Sequence, residues 1–252
     1  MSDELLCEIE DKVATITLNA PDRRNALTSS LIADMCTTLD EIEGREDVGA
    51  LIITGAAPAF CAGASLGDLA DTGSGKGGGK REKLLSIYEG FLRVARCQVP
   101  TIAAVNGPAV GAGMNLALAC DVRVAGRSGR FDTKFLQLGL HPGGGHTWMA
   151  HNVMGPQATA ATVLFGERLS AEAARAAGLV WSVVDDGELL SGVRTLAAKA
   201  AADPALARRT KKTLAATSSA PTLKDAVDIE VDAQVWSMER PEFAQRIQAA
   251  RK

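Results

Sequence analysis

Short apolar runs punctuated by turn residues dominate the first half of the chain, and alanine-rich helical spacing dominates the second. Leu5 to Ile9 and Val13 to Leu18 are β-prone runs on either side of Asp11 and Lys12, which predicts an opening hairpin. After the turn APDRRNALT, the positions Leu31, Ile32, Met35, Leu39 and Ile42 share one face of a helix from Ser29 to Glu43. Thr28 or Ser29 is its N-cap, and Gly44 ends it. Val48 to Thr54 (VGALIIT) reads as a buried strand and Thr101 to Val105 (TIAAV) as another. The turn NGPAVGAG then leads into a short apolar helix from about Ala112 to Ala119, and Val122 to Ala125 makes a third strand. Strand, glycine turn, helix and strand in this order predict βαβ units and a mostly parallel sheet, an α/β fold.

Beyond Gly155 the pattern changes to helices at Pro156 to Leu164 and Ala171 to Ala177, the latter with Ser170 as N-cap and Gly178 just past its end. Leu179 to Val184 reads as a last strand. From Glu188 onward only helical patterns remain, broken at Pro204, Pro221 and Pro241. Residues 1–188 therefore read as an α/β core and 189–252 as a C-terminal helical region. Alanine-rich helices carry few large side chains, so this region is expected to bury area against another subunit.

Composition narrows the function classes. With 252 residues, 46% of them hydrophobic, the chain can bury a full core as a single domain. Its 27 Lys and Arg against 30 Asp and Glu leave a net charge of -3, which offers no general attraction to nucleic acid or anionic membranes. Cys7, Cys36, Cys61, Cys97 and Cys120 are odd in number and form no CxxC pair, as expected for reduced thiols in a cytoplasm. The acidic start MSDELLCEIED lacks the layout of a secretory signal. Val99 to Cys120 is uncharged, but Pro100, Pro108, Asn106 and Asn115 within it argue against a membrane span. Gly73, Gly75 and Gly78 satisfy GxGxxG within GSGKGGGK, yet no strand precedes them, so this segment reads as a flexible surface loop.

Two glycine turns follow predicted strands, AFCAGASL at 59–66 and NGPAVGAGMNL at 106–116. Ligands of open α/β sheets bind at the carboxyl ends of strands, where turns leave backbone N–H groups without internal acceptors. Two such turns can aim two donors at one oxygen; small residues there serve close strand–helix packing equally well.

Taken together, TLNAPDRRNALT (17–28), AFCAGASL, PTIAAVNGPAVGAGMNLALACDVRVA (100–125) and FLQLGLHPGGGHT (135–147) resemble the crotonase family, the enoyl-CoA hydratase/isomerase superfamily. The resemblance covers roughly residues 5–185 in order. It implies a crotonase-like ββα spiral, a coenzyme A thioester whose carbonyl sits in an oxyanion hole, and trimers or dimers of trimers. It places the two donors at the N–H groups of Ala64 and Ala112. Arg24, Ala26, Ala62, Ser65 and Leu66 match positions along the adenine and phosphate part of the CoA site. Gly63, Val110 and Gly111, in the same turns, are further candidates for substrate contact. The ligand it implies is an acyl-CoA, with no separate cofactor, because coenzyme A is part of the substrate.

The sequence departs from the family at its acid/base positions. Hydratases of the family set two glutamates across the substrate double bond, and Asn115 and Phe135 occupy those positions here. A carboxamide takes no proton at neutral pH, and a phenyl ring makes no hydrogen bond. Both remain substrate-contact candidates. Substitute proton carriers are sought in His141, His146 and Asp68. Asp132 and Lys134 are expected to pair at the surface. The three histidines, His141, His146 and His151, are five residues apart, and on a helix such steps of about 500° spread side chains around the axis, so no metal site is expected. Trp148, Trp181 and Trp236 read as core or subunit-contact anchors. Lys211 and Lys212 read as a solvated helix face, the alternative being CoA phosphates across a subunit boundary. The leading expectation is an acyl-CoA enzyme of the hydratase/isomerase type; a non-catalytic acyl-CoA-binding protein is the alternative.

Overall fold

The structure is a computed structural model that describes residues 3–74 and 79–251. The chain opens with β1 (Leu5–Glu10) and β2 (Val13–Leu18), then α1 (Ser29–Gly44), β3 (Ala50–Gly55), α2 (Leu66–Ser74) and α3 (Lys80–Ala95). It continues through β4 (Thr101–Val105), β5 (Pro108–Val110), α4 (Ala112–Ala119), β6 (Val122–Gly126) and β7 (Arg130–Asp132). Then come α5 (His146–Leu164), β8 (Leu169–Ser170), α6 (Ala171–Ala176) and β9 (Ser182–Val184). Four helices close the chain: α7 (Leu189–Ala201), α8 (Pro204–Thr217), α9 (Leu223–Met238) and α10 (Pro241–Ala250).

The main sheet has the order β1-β2-β3-β4-β6-β9. Its opening hairpin is antiparallel and every later pairing is parallel. A parallel sheet is covered on both faces, and the period-two alternation of the strands supplies both covers. Leu51 and Ile53 join Leu31, Met35 and Leu39 of α1 and Phe91 of α3 in one core cluster. Ala50 and Ile52 face the other way, against Leu189, Val193, Ala197 and Ala201 of α7. Thus α7 is a layer of the α/β unit, and the helices that stand off the sheet begin at Pro204.

Thr28 caps α1 by accepting from the Leu31 N–H at 3.2 Å, and Ser170 caps α6 by accepting from Ala173 at 3.2 Å. The expected helix after Gly155 is the second half of α5. His146 begins the first half, and Gly155 joins the two in a non-helical conformation (φ 75°, ψ 178°) ahead of Pro156. A second, three-stranded sheet, β5-β7-β8, was not anticipated; its strands are two or three residues long, too short for periodicity to register. The segment before residue 83 contains α2 and the start of α3, and the GSGKGGGK loop lies in part, at Gly75 to Gly78, outside the described residues.

One further expectation is narrowed and two are corrected. Trp148 and Trp181 are exposed, which excludes the core alternative for them and leaves the subunit-contact one, and the guanidinium groups of Arg209 and Arg240 lie over the Trp236 ring at 5.6 and 4.9 Å from its centroid. Lys211 is tied down within its own chain: its Nζ donates to the Val99 carbonyl at 3.0 Å and pairs with Asp121 at 2.6 Å. Lys212 is exposed. Asp132 is buried and pairs with Arg168 at 3.0 Å, not with Lys134.

Candidate active site

The site begins with a buried asparagine. Arg24 and Asn25 both adopt left-handed backbone (φ 54° and 58°), a conformation for which asparagine is among the least penalised side chains. Asn25 is fully buried and satisfied: its Oδ1 accepts from the Ala20 N–H at 2.9 Å, and its Nδ2 donates to the carbonyls of Ala56 and Ala59 at 2.8 and 2.7 Å. This pins the 20–27 turn to the loop after β3. Three main-chain segments then run side by side. Ala62 N–H donates to the Arg24 carbonyl, Leu27 N–H to Gly63 and Ser65 N–H to Leu27, while Val110 N–H donates to Cys61 and Cys61 N–H to Pro108.

In the parallel bridge between Leu27 and Ala64, Gly63 and Ser65 supply the bonds to Leu27. The Ala64 N–H takes no part in this bridge and is left free of Leu27. Gly63 makes a close approach to the Val110–Ala112 segment possible. Its φ is +103°, and a Cβ there would fall 2.7 Å from the Val110 carbonyl oxygen and 3.5 Å from the Ala112 nitrogen. Gly111 (φ 52°) turns the chain into α4, whose first amide belongs to Ala112. Among the described residues no protein acceptor takes the N–H of Ala64 or of Ala112.

Both turns border one cavity of about 590 Å³. Of the sequence-predicted residues, Arg24, Ala26, Ala62, Gly63, Ala64 and Leu66 line it, as do Val110, Gly111, Ala112, Asn115, Phe135 and His141. Three do not. Ser65 turns its hydroxyl to the Asp68 N–H at 3.4 Å, inside the first turn of α2. Asp68 is directed to the start of α1, where its Oδ2 accepts from the Ser29 N–H at 3.1 Å and the Ser29 hydroxyl at 3.3 Å. A carboxylate at a helix N-terminus is favoured by the macrodipole, so Asp68 is held in a capping role outside the cavity.

His146, the first residue of α5, is buried behind the wall rather than in it. Its Nδ1 lies 2.5 Å from Asn115 Oδ1, its ring packs edge-on against Phe135 with centroids 5.0 Å apart, and its Nε2 has no partner among the described residues. Burial lowers its pKa to about 4, so the ring is neutral at physiological pH. His141 is exposed, with Nδ1 2.7 Å from the Pro142 carbonyl oxygen. The wall contains no Asp or Glu among the described residues; its ionisable groups are Arg23, Arg24, Tyr88, Lys134 and His141.

Sequence reading missed the far wall, which α3 provides through Leu84, Ile87, Tyr88 and Phe91. Their i, i+3, i+4, i+7 spacing is a helical signal present in the sequence. The Tyr88 hydroxyl lies so close to Gly143 that a Cβ there would collide with it.

Comparison with known proteins identifies the family and the fold. The family model described as enoyl-CoA hydratase/isomerase matches residues 8–249. A protein of Mycobacterium tuberculosis named as a probable enoyl-CoA hydratase is 45% identical over 98% of this chain and 97% of its own length. The 1,2-epoxyphenylacetyl-CoA isomerase of Escherichia coli is 34% identical over 93% of this chain and 90% of its own. The crystal structure of an enoyl-CoA hydratase from Bacillus anthracis superposes with a TM-score of 0.91 at 26% identity, covering 99% of this chain and 96% of that one. The expected crotonase-type α/β fold, with a mostly parallel sheet and C-terminal helices, is therefore the observed one.

Proposed function

Because the chain belongs to the enoyl-CoA hydratase/isomerase family, we propose that the Ala64 and Ala112 amides bind the thioester carbonyl of an acyl-CoA and stabilise the enolate formed next to it. One observation supports the reading: two separate turns, laced together by main-chain hydrogen bonds, border one cavity, and the Ala64 and Ala112 amides in them have no protein acceptor among the described residues. Donors aimed at developing oxyanion charge are each worth about 3 kcal/mol in the transition state. Arg24, Ala26, Ala62 and Leu66 form the adjoining stretch of wall that takes the CoA moiety, and its phosphates suit the guanidinium of Arg24.

With Asn115 and Phe135 read at the family's glutamate positions, we assign proton transfer to two of the ionisable side chains that border the cavity, His141 and Tyr88. No separate cofactor is required, because a proton moves and no electron does. Five free thiols suit a cytoplasmic setting, and no helix among the described residues is long and apolar enough to cross a membrane. The apolar stripe Leu223, Val227, Val231 and Val235 on α9, with exposed Trp148 and Phe165, supports assembly as a trimer or dimer of trimers.

The test is turnover and binding in parallel. Crotonyl-CoA hydration and 3-enoyl-CoA isomerisation are assayed on wild type, His141→Ala and Tyr88→Phe, with acyl-CoA affinity measured by calorimetry. Loss of turnover in at least one variant, with affinity retained, is expected. Wild-type binding without any turnover would leave a binding protein, and no binding at all would refute the carbonyl site.

A further inference from the structure

The cavity wall has one polar corner whose hydrogen-bond directions are fixed by elimination. Asn115 Nδ2 donates to the Gly143 carbonyl at 3.0 Å, and Asn115 Oδ1 faces His146 Nδ1 at 2.5 Å. A carbonyl only accepts, so the nitrogen of the carboxamide must face Gly143 and its oxygen must face the imidazole. The hydrogen of the neutral ring therefore sits on Nδ1, and Nε2 is left as a buried lone pair without a partner among the described residues. His146 and Asn115 are each 1% exposed, and of the two only Asn115 borders the cavity, one helical turn after Ala112.

We propose that His146 is a positioning residue that locks the Asn115 carboxamide so that it offers the acyl group only N–H donors, never an acceptor. The proposal rests on the acyl-CoA reading above. A carboxamide free to rotate by a half-turn presents either end; with Oδ1 committed to His146 and one Nδ2 hydrogen to Gly143, the second Nδ2 hydrogen is what remains for a ligand. The acyl class this selects carries an oxygen acceptor beside the thioester, such as a keto or hydroxyl oxygen on the β-carbon. An acyl chain without one leaves the donor unsatisfied, the costlier of the two errors.

Calorimetry with acetoacetyl-CoA and butyryl-CoA on wild type, His146→Leu and His146→Asn reads this preference. Wild type is expected to favour acetoacetyl-CoA by about tenfold, the worth of one well-placed hydrogen bond. His146→Leu should bring the ratio to within about twofold, mainly by weakening acetoacetyl-CoA, and His146→Asn, whose amide nitrogen stands where Nδ1 stood, should restore most of it. Nitrogen-15 spectra of the unliganded wild type should show a protonated Nδ1 and a bare Nε2, a measurement that does not depend on any variant folding. The opposite tautomer, or a ratio unmoved by His146→Leu, overturns the proposal while leaving acyl-CoA binding intact. Failure of the wild type to bind either thioester would instead sink the acyl-CoA reading, and this proposal with it.

Discussion

Acidification should destabilise this protein through His146 in a window set by that one side chain. In the native state burial holds its pKa at about 4, against an ordinary value of 6.5. Between those two values the unfolded chain holds a proton on this ring that the native protein excludes, so stability rises with pH across the interval. It is whole above about pH 6.5, drains as the pH falls toward about 4, and is constant below. One pKa unit is worth about 1.4 kcal/mol, which makes the loss at pH 4.5 about 2.5 kcal/mol relative to pH 7. Carboxylates complicate the lower end. Burial raises the pKa of Asp203, but hydrogen bonds from Arg240 and the Leu206 amide outweigh it, and the net shift is downward. A carboxylate of that kind yields its stabilisation only as the pH falls through the range below its ordinary value, so the two windows barely overlap. Urea unfolding followed by tryptophan fluorescence at pH 7 and pH 4.5, on wild type and His146→Asn, isolates the imidazole. The wild type should lose about 2.5 kcal/mol more than the variant between the two conditions. Equal losses would mean that the ring is not held neutral in the core, and would remove the basis for its fixed tautomer.

Other outcomes follow from single contacts. Asp68→Asn should lower stability by about 0.5–1 kcal/mol, because a charge at the start of α1 is lost, while turnover stays within about twofold; a hundredfold fall in turnover would return Asp68 to the acid/base chemistry. Gly63→Ala should abolish acyl-CoA binding in calorimetry, since the added methyl meets the Val110 carbonyl in a left-handed turn; unchanged affinity would show that the turn is not the carbonyl site. Arg208→Met should cost about 2–3 kcal/mol in chemical denaturation. Its guanidinium gathers the carbonyls of Glu43, Arg45 and Val48 where α1 ends, at 3.0, 2.6 and 3.2 Å, and these lose their donor together.

Much of the fold was legible because the long elements carry clean periodicities: β1 to β4, α1 and α4 lie within a residue or two of where their apolar spacing put them. The two turns were legible as small-residue bends after strands, while spacing alone served packing equally well and only the family resemblance singled out Ala64 and Ala112. What failed was side-chain direction. Asp68 and Ser65 sit beside the cavity in sequence but turn to helix termini, where unpaired amides compete for them. His146 was read as a proton carrier at the substrate, yet the start of α5 packs it behind Asn115 and Phe135, a placement that depends on helix packing and leaves no mark on the spacing. The α3 wall was a different kind of miss, because its periodic signal was there to be used.

The lacing of residues 24–27, 61–65 and 108–112 has a consequence for how such a scaffold can change. The donors we propose for a ligand oxygen are peptide groups, which no ordinary substitution removes, while the side chains we assign to proton transfer, Tyr88 and His141, hang from α3 and the 139–145 segment. On that proposal, holding and reacting are mounted on different supports. Exchanging one or two side chains on the second support can retool the reaction and leave the handle untouched.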